Sequence, residues 1–125
     1  MDNHLIRVGV IGCGAIGKEH VERLTNVVAQ TKVVAVYDYV EKVADEVAQN
    51  YDAKSFASGE ELIASDDVDA VVVCSTDETH AGYVVECLKQ NKYVFCEKPL
   101  ALTAKECEEM MAIESEQGHR LLQMG

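Results

Sequence analysis

The feature that most constrains the fold is a regular alternation of short apolar runs with segments of helical periodicity. The apolar runs, which we predict to be strands, cover residues 5–12, 32–38, 54–57, 70–75, 93–96 and 119–125. Helical spacing or helix-capping residues mark the segments between them, at 15–24, 40–51, 58–64, 81–91 and 103–118. Strands that alternate with helices on short connections pair in parallel through right-handed crossovers. We therefore predict an α/β fold, a doubly wound parallel sheet of about six strands in a three-layer α/β/α arrangement.

Length and composition limit the classes of partner. The chain has 125 residues, 48% of them hydrophobic and 26% charged, which suits one soluble globular domain over residues 1–125. Its formal net charge of −11 argues against nucleic acid and anionic membranes, since both attract basic surfaces. We find no apolar run long enough to span a bilayer and no secretory signal, so we expect a cytoplasmic protein. The chain ends on an apolar strand without a polar tail, which we interpret as the end of a fragment.

The five cysteines show no spacing typical of a metal or redox site. No two of them form a C-x-x-C pair, and most lie inside apolar runs. We therefore expect them to be small buried side chains in a reducing cytosol, and we predict no metal site.

The first predicted turn carries a glycine-rich loop, G-C-G-A-I-G, over residues 12–17. By itself this spacing is weak evidence, but here a strand precedes it and a helix follows it, as in dinucleotide-binding Rossmann folds. Gly12 would allow the tight turn, Gly14 would leave room for a diphosphate, and Gly17 would let the helix pack closely. Ala15 and Ile16 complete the loop at the positive end of the helix, where phosphates bind.

The second predicted strand ends in an acid, Asp38, about 20 residues after the loop. A carboxylate at this point accepts hydrogen bonds from the adenosine ribose and repels a 2′-phosphate. The next residue is Tyr39 rather than an arginine, so we predict NAD as the cofactor, with NADP less favoured. An S-adenosylmethionine site also uses a glycine loop and an acid after the second strand, but the three-glycine spacing favours a dinucleotide. A Rossmann-like domain that binds no dinucleotide stays open as an alternative.

Ligands of open α/β sheets lie beyond the carboxyl ends of the strands. After the fourth strand, Ser75 and Thr76 are candidates for contact with the ribose and diphosphate of the cofactor, and His80 is a third candidate that can equally brace its helix. After the fifth strand, Glu97 and Lys98 face the expected crevice. Lys98 can orient a substrate hydroxyl or help to move its proton, or it can be an ordinary surface lysine on a turn.

Two segments together resemble the Gfo/Idh/MocA oxidoreductases, and among them most closely the inositol 2-dehydrogenases. They are VGVIGCGAIGKEH, residues 8–20, and KYVFCEKPLALTAKE, residues 92–106. The glycine loop is shared with many families, whereas the E-K-P sequence of residues 97–99 is far more specific. The resemblance covers the whole chain, as the N-terminal domain of that family.

The resemblance implies an NAD-dependent dehydrogenase that oxidises a hydroxyl of a cyclic polyol or sugar, with myo-inositol as the best match. Glu97 would lie near the nicotinamide ribose, and Lys98 would contact the reacting hydroxyl as the catalytic residue of this domain. The bond between Lys98 and Pro99 is often cis in the family. The family's D-x-x-x-H pair, which supplies the general base, belongs to a second domain, so we expect the isolated chain to bind NAD(H) without turnover. The full-length protein would be a homo-oligomer.

Two other functions remain possible from the sequence. One is that of another sugar dehydrogenase of the same family, since the second domain supplies most substrate contacts. The other is a stand-alone, non-catalytic module that binds a dinucleotide or senses redox state.

Overall fold

A six-stranded parallel sheet forms the centre of the molecule. The computed structural model describes residues 5–97 and 103–124. The strands are β1 (Ile6–Ile11), β2 (Thr31–Tyr37), β3 (Lys54–Ser55), β4 (Ala70–Val73), β5 (Tyr93–Cys96) and β6 (Leu122–Met124). The helices are α1 (Ala15–Asn26), α2 (Glu41–Tyr51), α3 (Gly59–Ala64), α4 (Asp77–Lys89) and α5 (Ala104–Gln117). The element order confirms the predicted α/β alternation.

The strand order in the sheet is β3-β2-β1-β4-β5-β6, and every neighbouring pair is parallel. The chain moves outward from β1 to β3, then returns to the other side of β1 and moves outward again. This is the strand order of the doubly wound Rossmann fold, and it confirms that prediction. The order reverses between β1 and β4, so the loops after these two strands diverge and leave a crevice at the carboxyl edge of the sheet.

Each face of the sheet carries its own apolar core. On one face, Val21 of α1 and Val47 of α2 pack with inward residues of the strands such as Val10 and Val36. On the other face, residues of α3, α4 and α5, among them Leu62, pack against the opposite side of the same strands. The four residues of β4 form the continuous apolar run expected of a strand that is covered on both sides.

The inner face of α5 differs from the prediction. The apolar pattern places Cys107, Met110 and Met111 together on it, but only Met110 is buried. Met111 is 68% exposed, so its assignment to the core was wrong. Successive residues of a helix point about 100° apart, so two adjacent methionines cannot both face a narrow contact with α4.

A complete capping box starts α5, the helix that follows the E-K-P segment. The Thr103 hydroxyl accepts from the Glu106 N–H at 3.1 Å, and the Thr103 N–H donates to the Glu106 carboxylate at 3.2 Å.

Thr103→Ala should lower the free energy of unfolding by about 1 kcal/mol, because the first helical turn loses a partner for one of its N–H groups. Urea unfolding measures this. Thr103→Ser keeps the hydroxyl and serves as the control; an equal loss in both variants would contradict the capping role.

Across residues 5–97 and 103–124, no helix combines the length and the apolar character that crossing a membrane requires.

Candidate dinucleotide-binding site

A cavity of about 670 Å³ lies beyond the carboxyl ends of β1, β2 and β4. Its lining includes six of the residues that the sequence predicts to bind a cofactor: Gly12, Gly14, Asp38, Tyr39, Ser75 and Thr76. These residues come from three separate loops, which the parallel sheet brings to one edge. The structure therefore assembles most of the predicted constellation around one space.

A side chain would have a different effect at each of the three glycines of the loop. Gly12 has a φ of +95°, and a Cβ there would lie 2.6 Å from the backbone of Cys74. A Cβ at Gly17 would lie only 1.8 Å from the carbonyl oxygen of Gly12. At Gly14 a Cβ would meet nothing within 4 Å. Gly12 and Gly17 therefore allow the loop, helix and strands to pack, whereas Gly14 borders open space.

Helix α1 starts at this open space. Gly14 is its N-cap residue, no side-chain hydrogen bond caps it, and its first turn contains no acidic residue. Ala15 and Ile16 follow in exposed positions. The free N–H groups and positive end of the helix thus border the space beside Gly14, which favours an anionic ligand group there.

Two backbone groups hold the Asp38 carboxylate in place. Its Oδ1 accepts from the Cys13 N–H at 2.8 Å, and its Oδ2 accepts from the Val40 N–H at 2.9 Å. One carboxylate thus connects the glycine loop to the segment before α2. Each oxygen has further lone-pair capacity for a hydroxyl donor. The arrangement presents a pre-oriented acceptor at the end of β2.

The Cys13 thiol lies on the inner side of the same loop. Burial, together with the nearby Asp38 charge, raises the pKa of Cys13 to about 12. The thiol is therefore neutral at physiological pH and behaves as a small apolar side chain. Cys13, Cys87 and Cys96 are buried as predicted, whereas Cys74 and Cys107 are partly exposed, and all five are free thiols.

Beside Asp38, the Tyr39 side chain is 93% exposed and borders the cavity. The lining contains no lysine or arginine among the residues that the structure describes. A 2′-phosphate at Asp38 would therefore meet a carboxylate without a compensating cation.

The loop after β4 is stabilised by its own side chains. The hydroxyls of Ser75 and Thr79 lie 2.6 Å apart, and Thr79 also donates to the carbonyl oxygen of Thr76 at 2.6 Å. His80 is only 1% exposed, and its Nε2 lies 2.8 Å from the carbonyl oxygen of Ser75. Because α4 starts at Asp77, His80 falls in its first turn. The imidazole braces the loop, which is the alternative that the sequence left open, and we propose no direct contact between His80 and a cofactor.

Sequence reasoning missed a side chain at the end of β5. Nε2 of His20, on α1, lies 2.6 Å from Oε2 of Glu97, the residue that follows β5. We predict no role for His20 from the sequence. One signal was present: His20 follows Gly17 by three residues and Val21 is buried beside it, so it lies on the sheet-facing side of α1.

Lys98 and Pro99 lie outside the described residues, so the catalytic role of Lys98 and the cis peptide bond stay predictions.

Comparisons with known proteins agree with this geometry. Residues 6–125 match the model of the GFO_IDH_MocA family, described as an oxidoreductase family with an NAD-binding Rossmann fold. Inositol 2-dehydrogenase 3 of Saccharopolyspora erythraea is 46% identical over 120 residues, and inositol 2-dehydrogenase of Burkholderia cenocepacia is 43% identical over 122 residues. Each alignment covers 96% of this chain and 36% of the relative.

A solved structure extends the comparison to three dimensions. The myo-inositol dehydrogenase of Lactobacillus casei, in complex with NAD(H) and myo-inositol, superposes with a TM-score of 0.92 at 35% identity. The superposition covers 97% of this chain and 36% of that protein. The chain thus spans little more than a third of the length of the relatives that it matches.

Proposed function

The chain belongs to the Gfo/Idh/MocA oxidoreductase family as its NAD-binding Rossmann domain, and from this we propose that it is the cofactor-binding part of a dehydrogenase that oxidises a hydroxyl of a cyclic polyol or sugar. Myo-inositol is the best candidate substrate, because relatives at 43% and 46% identity are inositol 2-dehydrogenases. The observation that carries the proposal is the Asp38 carboxylate, held by two N–H groups beside the open side of the glycine loop.

The residues of the cavity fit a dinucleotide. The open space at Gly14, at the start of α1, would take the diphosphate with Ala15 and Ile16. The Asp38 carboxylate would accept hydrogen bonds from the adenosine ribose, with Tyr39 beside it. Gly12 and Gly17 would support the loop from within rather than contact the ligand.

The remaining residues would serve the reactive end of the cofactor. Ser75 and Thr76 line the cavity on the β4 side, where they would lie next to the diphosphate. Glu97 would meet the nicotinamide ribose. When bound, NAD supplies the hydride acceptor for oxidation of the substrate alcohol.

We propose that Lys98 contacts the reacting hydroxyl and helps to move its proton, a role that rests on the family's E-K-P sequence. The general base would come from the family's second domain. The full-length protein would be a cytoplasmic homo-oligomer, and these statements rest on the family alone.

Cofactor choice tests the proposal. NADH should bind the 125-residue chain at least tenfold more tightly than NADPH, since a 2′-phosphate beside Asp38 meets like charge at a cost of about 1.4 kcal/mol or more. Titration followed by nicotinamide fluorescence measures both affinities. Tighter binding of NADPH would overturn the role of Asp38, and absence of binding by either nucleotide would overturn the proposed function.

A further inference from the structure

One side-chain pair joins helix α1 to the end of strand β5. Nε2 of His20 and Oε2 of Glu97 lie 2.6 Å apart, and because a carboxylate oxygen only accepts, Nε2 carries the hydrogen. The His20 ring also contacts Phe95 of β5 in a T-shaped arrangement, with ring centroids 5.5 Å apart and planes at 61°. The His20 and Glu97 side chains are 24% and 31% exposed, so the pair is largely shielded from solvent. Both partners are therefore held in one orientation.

The strand order gives this pair its place in the site. Asp38 lies at the end of β2, and the glycine loop lies at the end of β1. On the other side of β1 the sheet continues with β4 and then β5. A dinucleotide with its adenosine ribose at Asp38 and its diphosphate at Gly14 must extend across β4 towards β5. Its second ribose and its nicotinamide therefore come to the strand end that carries Glu97.

We propose that His20 is a positioning residue, which holds the Glu97 carboxylate ready for the ribose attached to nicotinamide and does not touch the cofactor itself. The inference rests on the proposed function. A glutamate side chain has several rotatable bonds, and ordering it when a ligand binds costs free energy. The bond to Oε2 and the ring contact with Phe95 impose this order in advance. Oε1 and the second lone pair of Oε2 are then available to ribose hydroxyls.

The pair also fixes a distance within the site. Gly14, beside which the diphosphate would bind, is the N-cap of helix α1, and His20 lies six residues, slightly less than two turns, further along that helix. Because His20 is tied to Glu97, α1 and the end of β5 keep one separation. A rigid link of this kind matches the two ligand groups, diphosphate and second ribose, whose spacing the cofactor itself sets.

The affinities for three ligands with the same adenosine end distinguish this positioning role from general support of the fold. ADP ends at the diphosphate, ADP-ribose adds the second ribose, and NADH adds the nicotinamide. Calorimetric titration of the 125-residue chain should show that His20→Ala weakens ADP-ribose and NADH roughly tenfold, the size expected for the loss of about one hydrogen bond. Binding of ADP should change by less than about twofold.

The chain offers a matched control in His119. Its Nε2 lies 2.8 Å from Oδ1 of Asn91, and its ring contacts Tyr93 edge-on at 6.2 Å, near the opposite end of β5. His119→Ala removes a similar bond and a similar ring contact far from the cavity, so it should leave all three affinities unchanged. His20→Gln retains an N–H donor of similar reach and should restore most of the affinity for ADP-ribose.

A double-mutant cycle completes the test, because a residue that acts only through Glu97 has nothing to add once Glu97 is gone. In the Glu97→Ala background, His20→Ala should not weaken ADP-ribose further. Equal weakening of ADP and ADP-ribose by His20→Ala, or additive losses in the double variant, would overturn the inference alone. If the unaltered chain binds neither ADP nor NADH, the proposed function is overturned and this inference with it.

Discussion

Replacing Gly17 with alanine is expected to lower the free energy of unfolding by about 3 kcal/mol or more and to remove tight binding of NADH. A Cβ at this position would lie 1.8 Å from the carbonyl oxygen of Gly12 and 2.8 Å from its carbonyl carbon. Both atoms belong to the backbone, so no side chain can rotate away to relieve the overlap. Overpacking typically costs 1–3 kcal/mol, and a backbone clash belongs at the upper end of that range. Helix α1 must then move away from the loop.

Two other glycines provide the controls for this variant. Gly82, in α4, has nothing within 4 Å of an added Cβ, so Gly82→Ala should stabilise the protein by about 0.5–1 kcal/mol through its helix propensity. Gly14 also borders open space and has a φ of −73°, so Gly14→Ala should fold normally but bind NADH more weakly.

Urea unfolding and nicotinamide fluorescence measure the two properties separately for each glycine variant. If Gly17→Ala stays within about 0.5 kcal/mol of the unaltered chain, the packing role of Gly17 is wrong. If Gly14→Ala binds NADH with unchanged affinity, the diphosphate does not occupy the space beside Gly14.

Asp38→Ala is expected to weaken NADH by roughly 1–3 kcal/mol, because charge-assisted hydrogen bonds to the adenosine ribose are lost. The same substitution removes the acceptor that the Cys13 and Val40 N–H groups use, so the loop also becomes less ordered. NADPH should lose less affinity than NADH, since the change removes a like charge near its 2′-phosphate. The ratio of the NADPH and NADH dissociation constants should therefore become smaller.

The ratio of the two dissociation constants is the informative measurement, since loosening of the loop weakens both cofactors alike. Asp45→Ala, at an exposed position on α2, changes the net charge by the same amount away from the cavity and serves as the control. An unchanged ratio in Asp38→Ala would show that Asp38 does not select the cofactor.

The sheet and most of its helices could be predicted from the sequence because the signals are local. The buried strand β4 is a continuous apolar run, and α2 shows an apolar stripe at helical spacing. The third strand, which we predict over 54–57, is only two residues long in the structure. Short edge strands carry little apolar pattern, so their limits depend on tertiary pairing with a neighbour.

Some residues of the site can likewise be predicted from local sequence, whereas others come together only through the tertiary fold. The glycine loop and Asp38 follow from spacing within one βαβ unit. The pair of His20 and Glu97 does not, because its partners are 77 residues apart in the sequence and meet only through the strand order. Burial of His80 also depends on where α4 begins, which the apolar spacing places one turn too late.

The close approach of Gly12 to the backbone of Cys74 has a consequence for folding. Within the first βαβ unit alone the glycine loop lacks one of its neighbours, because the backbone that packs against Gly12 belongs to the loop after β4. An intermediate that contains only β1, α1 and β2 thus lacks a finished nucleotide site. A ligand that binds only the finished site stabilises the completed sheet by mass action and leaves such intermediates unaffected. In the cell, the supply of free dinucleotide would then act as a selective stabiliser of fully assembled molecules.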